Sequence, residues 1–438
     1  MVLEADTLFF LYTKIFHSFG YKIVLVMKKK LDKYVMNNKF IMFIVFLFLI
    51  SCSTQYAQNK LPLDGDYYII DLDKKKEPAI YLSSLFKNVR TIILETNDDC
   101  IIGGIDDIQV FDGYIYILDQ RKTKRLFVFD MEGRFIRSIG SVGAGPGEYI
   151  EIRDFTFDKK NNIIFLCDHS NRIHKYKLDG TYMHTIKMQL PNTDAERIQF
   201  YDGNLYISSI IWENATSSYM LQEIDPSDGR IISRSIPIEY NKGWKHRFHD
   251  QYSRLFMSRA NNPPRYNKMF MNYIVSIGKE IAPYIELKSR HLTTEEDMEN
   301  FEGKDRGPLN FLNLSNSSKI FNVRCFVEND DFILFRIGAS SSFSALLNKK
   351  TKETKLANNL YNDLIYKKDE PLGLGRFMFS DARGAYDLLY TQIHYILNEF
   401  QRSIKNNEIV PDLDKLDQLK KLNEDSNPVI FFYEFKDL

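Results

Sequence analysis

The chain has 438 residues, 44% of them apolar, and acidic and basic side chains in equal number, so its formal net charge is zero. That length and apolar content allow one large domain or two ordinary ones with a full core. The absence of a basic stripe argues against a nucleic-acid-binding class. Tyr and Phe number 26 and 33, an aromatic load that favours strands. The four cysteines, Cys52, Cys100, Cys167 and Cys325, lie far apart with no metal-ligand spacing, and no cofactor or metal site is expected from them.

In chain order, residues 1–26 do not fit a secretion signal, and Met27 or Met36 makes a better start, so this piece reads as an over-long extension outside the fold. Residues 27–51 have the order of a bacterial signal peptide. A basic stretch, MKKKLDKYVMNNK, is followed by an unbroken apolar run over 40–50 and by Leu49-Ile50-Ser51-Cys52, a lipobox. The run is short for a bilayer span, which predicts cleavage and lipidation at Cys52, with residues 52–66 as a tether. Ser53 after the cysteine resembles an outer-membrane sorting residue, and the following TQYAQNK lacks an acidic run, so the leaflet stays open.

Beyond the tether, YYIIDL (67–72) and TIILET (91–96) read as strands. Two similar units then lie end to end over 108–187. The first has FDG, YIYILD, a polar loop, RLFVFD, a Glu-Gly turn and RFIRSIG. The second repeats it as FTFD, Asn-Asn, IIFLCD, HSNR, IHKYKLDG and TYMHTIK. Four short antiparallel strands per unit make a propeller blade, and such sheets must stack around an axis to bury both faces. Between the units, GSVGAGPGEY is Gly-rich, but a strand follows it and no Lys-Ser/Thr pair closes it, so an inter-blade connection is expected over a phosphate loop. A third unit begins near Ile198, a looser fourth covers 249–288 with a short helix in an insertion at 291–303, and a fifth starts near Lys319. Helical spacing over 381–401, and leucines three apart at 413–422, predict a helical insertion at about 381–425 that caps one propeller face. NPVIFFYEFK (427–436) is placed to share a sheet with an N-terminal strand. Residues 67–438 thus form an all-β, six-bladed propeller of four-stranded antiparallel blades, closed by its terminal strands.

Gly-x-Gly-Pro-Gly-Glu-Tyr followed by a strand and an Asp-rich turn, and Asp-(polar loop)-Arg-hydrophobic at Asp119/Arg125 and Asp168/Arg172, resemble the six-bladed propeller lipoproteins of gram-negative, gut-type bacteria, related to NHL-repeat propellers. The resemblance is good over the first two units and faint beyond them. It implies fold and envelope address more than activity.

The recurrence of Asp119/Arg125 and Asp168/Arg172 reads first as an ion pair bracing each blade, of about 1 kcal/mol if exposed. The residues weighed as ligand contacts are Arg121, His169, Arg172, Trp212, Trp244 and His246. Trp212, beside a polar loop, suits stacking on a sugar ring, though such a residue is more often core. His246 and His249 lack an identifiable third metal ligand. No nucleophile elbow, zinc-protease helix or kinase set is present, and no catalytic residue is assigned. The expected function is a binding or scaffold module at the outer membrane for a glycan, peptide or envelope protein. The alternative is a carbohydrate hydrolase or lyase at the central funnel.

Overall fold

The computed structural model describes residues 66–190, 194–210, 219–237, 256–257, 263–294, 296–297, 317–367 and 378–436. Six antiparallel sheets form the blades of an all-β propeller. Blade one is built from Asp107–Phe111, Tyr114–Asp119, Arg125–Asp130 and Phe135–Ile139. Blade two follows with Ile152–Asp158, Ile163–Asp168, Arg172–Lys177 and Tyr182–Lys187. Blade three has Asp194–Tyr201, Asn204–Ile210, Tyr219–Ile224 and Ile231–Pro237. The sequence explains the repeat. Each aromatic or β-branched run supplies a strand buried on both faces, and a Gly or Asx turn reverses it. Asp112 and Gly113, and Asp202 and Gly203, all have positive φ, the geometry of a tight hairpin turn.

Blade four has short inner strands, Phe256–Met257 and Arg265–Tyr266, followed by Tyr273–Ile277 and Ile281–Lys288. Arg265–Tyr266 is only two residues long. It is held as a strand by pairing with Tyr273–Ile277. Blade five has Asn322–Glu328, Phe332–Gly338, Phe343–Asn348 and Thr354–Tyr361.

Closure is more extensive than one shared sheet. The first three strands of the described chain run along the outer edges of three successive blades. β1 (Tyr68–Asp71) adds in parallel to Ile281–Lys288 of blade four. β2 (Glu77–Tyr81) adds in parallel to Thr354–Tyr361 of blade five. β3 (Phe86–Ile93) is the outer strand of blade six and pairs with the C-terminal strand Val429–Phe435. Inside β3 and Val429–Phe435 lie Gly384–Leu389 and Phe379–Ser380.

The helical insertion begins later than periodicity predicts. Residues 384–389 are a strand buried along its whole length. The 3.6-residue pattern misleads there, because a strand buried on both faces has no alternation to set against it. A Cβ on Gly384 would stand 2.0 Å from the Tyr433 carbonyl, so the neighbouring backbone requires glycine. Helix α1 spans His394–Lys405 and buries Leu397 and Phe400, while α2 is the single turn Leu416–Leu419. The insertion packs into the core shared by blades five and six, with Ile80, Leu85, Ile365 and Phe431. It covers the open outer edge of blade six, where a face-mounted cap was expected. Asp414 accepts the Thr91 amide at 2.9 Å, and its carbonyl accepts the Thr91 hydroxyl at 2.8 Å. An edge strand so occupied offers fewer free groups to another chain.

Candidate functional site: the axial mouth of the propeller

The innermost strands of blades one, two and three carry a polar residue at one equivalent level. Gln109, Thr156 and Gln199 oppose Tyr116, Phe165 and Tyr206 of their neighbouring strands, two residues before each inner strand ends. All three are buried. They stitch the inner strands together. Gln109 Nε2 donates to the Phe155 carbonyl at 2.9 Å, and Thr156 Oγ1 accepts the Phe200 amide at 3.1 Å. Two residues earlier in blade two, Asp154 accepts the Ile198 amide at 2.8 Å. Side chains thus pair with backbone groups of the next blade's inner strand, as buried polar groups require.

These strands open into a cavity of about 430 Å³ lined by Gln109, Thr156, Asp158, Lys159, Asn161 and Gln199, with Phe157, Phe200 and Pro264 as apolar wall. The amide nitrogen of Gln199 donates to the Phe200 carbonyl at 2.9 Å, but its buried Oε1 has no partner among the described residues. An unsatisfied acceptor inside a polar cavity is the kind of group that a ligand or water must complete. Asp158 is occupied by its own turn. Its carboxylate accepts the Lys160 and Asn161 amides at 3.1 Å each and the Asn161 side chain at 2.7 Å. Enclosure by the mouth pushes the Lys159 ammonium below the ordinary lysine range, against the opposing attraction of Asp381 in the blade-six turn. Lys159 is nonetheless open to solvent at the rim.

Of the residues weighed as ligand contacts, the described ones, Arg121, His169 and Arg172, do not line this cavity. Arg121 is exposed and pairs with Asp106 at 2.7 Å. His169 is exposed and bonds Arg153. Asp168 and Arg172 form an ion pair at 2.6 Å. The same carboxylate accepts the Ser170 and Arg172 amides and lies 3.2 Å from buried His174 Nε2. Burial raises the Asp168 carboxyl, but bonds from His174 and Arg172 outweigh it and hold the group below the usual carboxylate range. The equivalent pair in blade one is not an ion pair. Asp119 and Arg125 are cross-strand backbone partners. The Asp119 carboxylate instead takes the Gly103 and Lys122 amides and the Thr123 hydroxyl, while exposed Arg125 donates to the Asp99 carbonyl. The buried Asp119 points into its own loop, so it meets amides before it can meet the guanidinium. Trp212, Trp244, His246, His249 and Cys52 lie outside the described residues.

The Gly-rich segment is the connection between blades one and two. Ser141–Val142 and Glu148–Tyr149 pair in parallel, and Glu148 accepts the Gly145 amide at 2.7 Å. Cys100, Cys167 and Cys325 form no disulfide with one another, and burial pushes the Cys100 and Cys167 thiols up. The mouth residues were missed because each is a single polar letter inside an apolar strand. The available signal was its recurrence in DIQVFDG, DFTFDKK and RIQFYDG.

Fold and site define a six-bladed propeller with a polar cavity at one axial mouth. The family model described as Domain of unknown function (DUF4934) matches residues 67–434, and the chain belongs to that family. A crystal structure of a Bacteroides fragilis protein described as exported is similar, with 20% identity, a TM-score of 0.65, and coverage of 84% of this chain and 100% of that one. The WD40 repeats of RRP9 align at 11% identity and TM-score 0.40, over 80% of this chain and 98% of that one, too distant to add to the argument. No curated protein matches the sequence.

Proposed function

We propose that this protein is a binding module of the bacterial cell envelope, an exported lipoprotein of the NHL-like propeller type anchored through Cys52 at the outer membrane, and that its axial mouth takes a hydroxyl-rich glycan. The observation that carries the reading is the mouth itself. It offers amide and hydroxyl groups, with a buried and unpartnered Gln199 Oε1, beside Phe157 and Phe200. Alternating amides and aromatic surface suit the polar edges and apolar faces of sugar rings. The signal-peptide order and Cys52, with the exported character of the Bacteroides fragilis protein, support the address. The hydrolase alternative asks for a pair of available carboxylates; of the two that line the mouth, Asp158 and Asp202, Asp158 is committed to its own turn.

The test is calorimetric titration of the mature chain with envelope and dietary oligosaccharides, alongside Gln199→Leu. A saturable glycan signal weakened about tenfold or more by Gln199→Leu, with unchanged melting, is the expected result. Binding unaffected by Gln199→Leu removes the mouth as the site, and turnover of the bound glycan replaces the binding reading with the enzymatic one.

A further inference from the structure

Two described interior cations of blade four have acidic partners. Arg265 pairs with Glu328 at 3.1 Å and Lys268 with Glu196 at 2.8 Å. Blade five breaks this pattern. Arg324 on Asn322–Glu328 and Arg336 on Phe332–Gly338 are direct cross-strand partners, and Ser344 on Phe343–Asn348 is the next residue in the same row. Directly opposed residues project from one face of a sheet with Cβ atoms about 5 Å apart. Leu334 and Leu346, on that same face, pack in the core shared with blade six, so the row looks toward blade six.

Both arginines are half-buried, and neither has an ion-pair partner among the described residues. Arg324 Nε is buried without an acceptor, and so is the hydroxyl of Ser344, a residue only 1% exposed. The Arg324 guanidinium lies over the Phe321 ring, 6.0 Å from its centroid. The backbone is also arranged for it. The register of the inner strand breaks between Arg324 and Val327, and Cys325 takes a φ of 53°. A bulge of this kind re-aims a side chain, and a strained non-glycine residue needs a compensating interaction.

Like charges placed opposite each other in a sheet destabilise it, and a half-buried cation without a counter-charge costs more. An anion between the two guanidinium groups removes both penalties. We infer that Arg324, Arg336 and Ser344 form an oxyanion-binding site on the blade-five face, taking the sulfate, phosphate or carboxylate group of an acidic ligand. Two guanidinium forks match an oxyanion with several charge-assisted bonds, and the Ser344 hydroxyl adds a further donor. The site is separate from the axial mouth proposed for glycans. It stands whether or not that proposal holds.

The test uses the mature chain at constant ionic strength, set with chloride, titrated in turn with inorganic sulfate, inorganic phosphate and acetate. Calorimetry and thermal melting are the readouts. The expected result is saturable 1:1 binding of at least one oxyanion, with a matching rise in melting temperature. The preferred anion separates a tetrahedral ester from a planar carboxylate as the natural group. Arg324→Gln and Arg336→Gln should each weaken binding about tenfold or more. In the absence of ligand, each should melt at or above the parent temperature, because the repulsion is gone. Absence of saturable binding to all three anions overturns the proposal. So does retained affinity in both variants, or a ligand-free loss of stability in both, which would make the arginines structural.

Discussion

Glu328 accepts four hydrogen bonds at the seam between blades four and five. Two come from Arg265 at 3.1 Å, one from Tyr284 at 2.6 Å and one from Lys349 at 3.0 Å. Arg265 also lies over the Tyr284 ring, 3.5 Å from its centroid. Burial pushes the Glu328 carboxyl up, but Arg265, Tyr284 and Lys349 outweigh it and the group ends below the ordinary glutamate range. Removing one partner of a buried, fully bonded pair costs about 3–5 kcal/mol, because the other charge stays behind unpaired. Glu328→Gln should therefore lower the denaturant midpoint strongly, and a shift within error of zero would show that the seam is held by packing alone. The pH sign follows from the lowered carboxyl. The native state binds its proton later than the unfolded chain does as pH falls. The Glu328 contribution is thus complete at neutral pH, and it is lost as pH falls below about 4 and on through the native value. Acid titration of stability should be less steep in Glu328→Gln than in the parent. None of this was legible in CFVEND, since one Glu in a strand has no pattern and its partners lie 63 residues before it and 21 after it.

Among the elements, the strands with turn chemistry at both ends were readable, and those defined by a distant neighbour were not. YIYILD and IIFLCD are bounded by Asp-Gly and Asn-Asn turns, and both are strands where expected. GAYDLL sits in a stretch with helical spacing and is a strand, because Val429–Phe435 and Phe379–Ser380 offer it two ladders. The leucines at 413–422 are mostly buried, yet only one turn of helix forms among them, since blade six and β3 dictate the path. The N-terminal strands give a graded prediction. A chain starting at residue 84 lacks β1 and β2 but keeps β3, leaving the edges of Ile281–Lys288 and Thr354–Tyr361 open. It should fold with a lower melting temperature and self-associate through those edges in size-exclusion chromatography. A chain ending at residue 426 loses the strand between Gly384–Leu389 and β3, so blade six comes apart. That truncation should lose cooperative unfolding altogether. Equal behaviour of the two truncations would mean closure does not hold the ring.

At the scale of the whole molecule, the chain closes with β3 and Val429–Phe435 in one sheet, two segments about 340 residues apart in sequence. β1 runs along the rim of blade four, in parallel with Ile281–Lys288. Cys52→Ala should move the protein from the membrane fraction to the soluble one without changing its melting temperature. Retention of the variant in membranes would remove lipidation as the anchor.

The sequence by itself determined the blade repeat, the propeller class and the use of both termini in closure. These follow from local turn chemistry, strand-forming side chains and a repeat that cannot bury both faces alone. Only the tertiary structure decided the rest. Gln109, Thr156 and Gln199 share one mouth because three inner strands meet at the axis. Arg324 meets Arg336 because of strand register. The Asp119 carboxylate took the Lys122 amide of its own loop and the Gly103 amide ahead of the inner strand, rather than Arg125. Convergence of side chains is a property of register and blade order, and neither is written in the neighbours of any one residue.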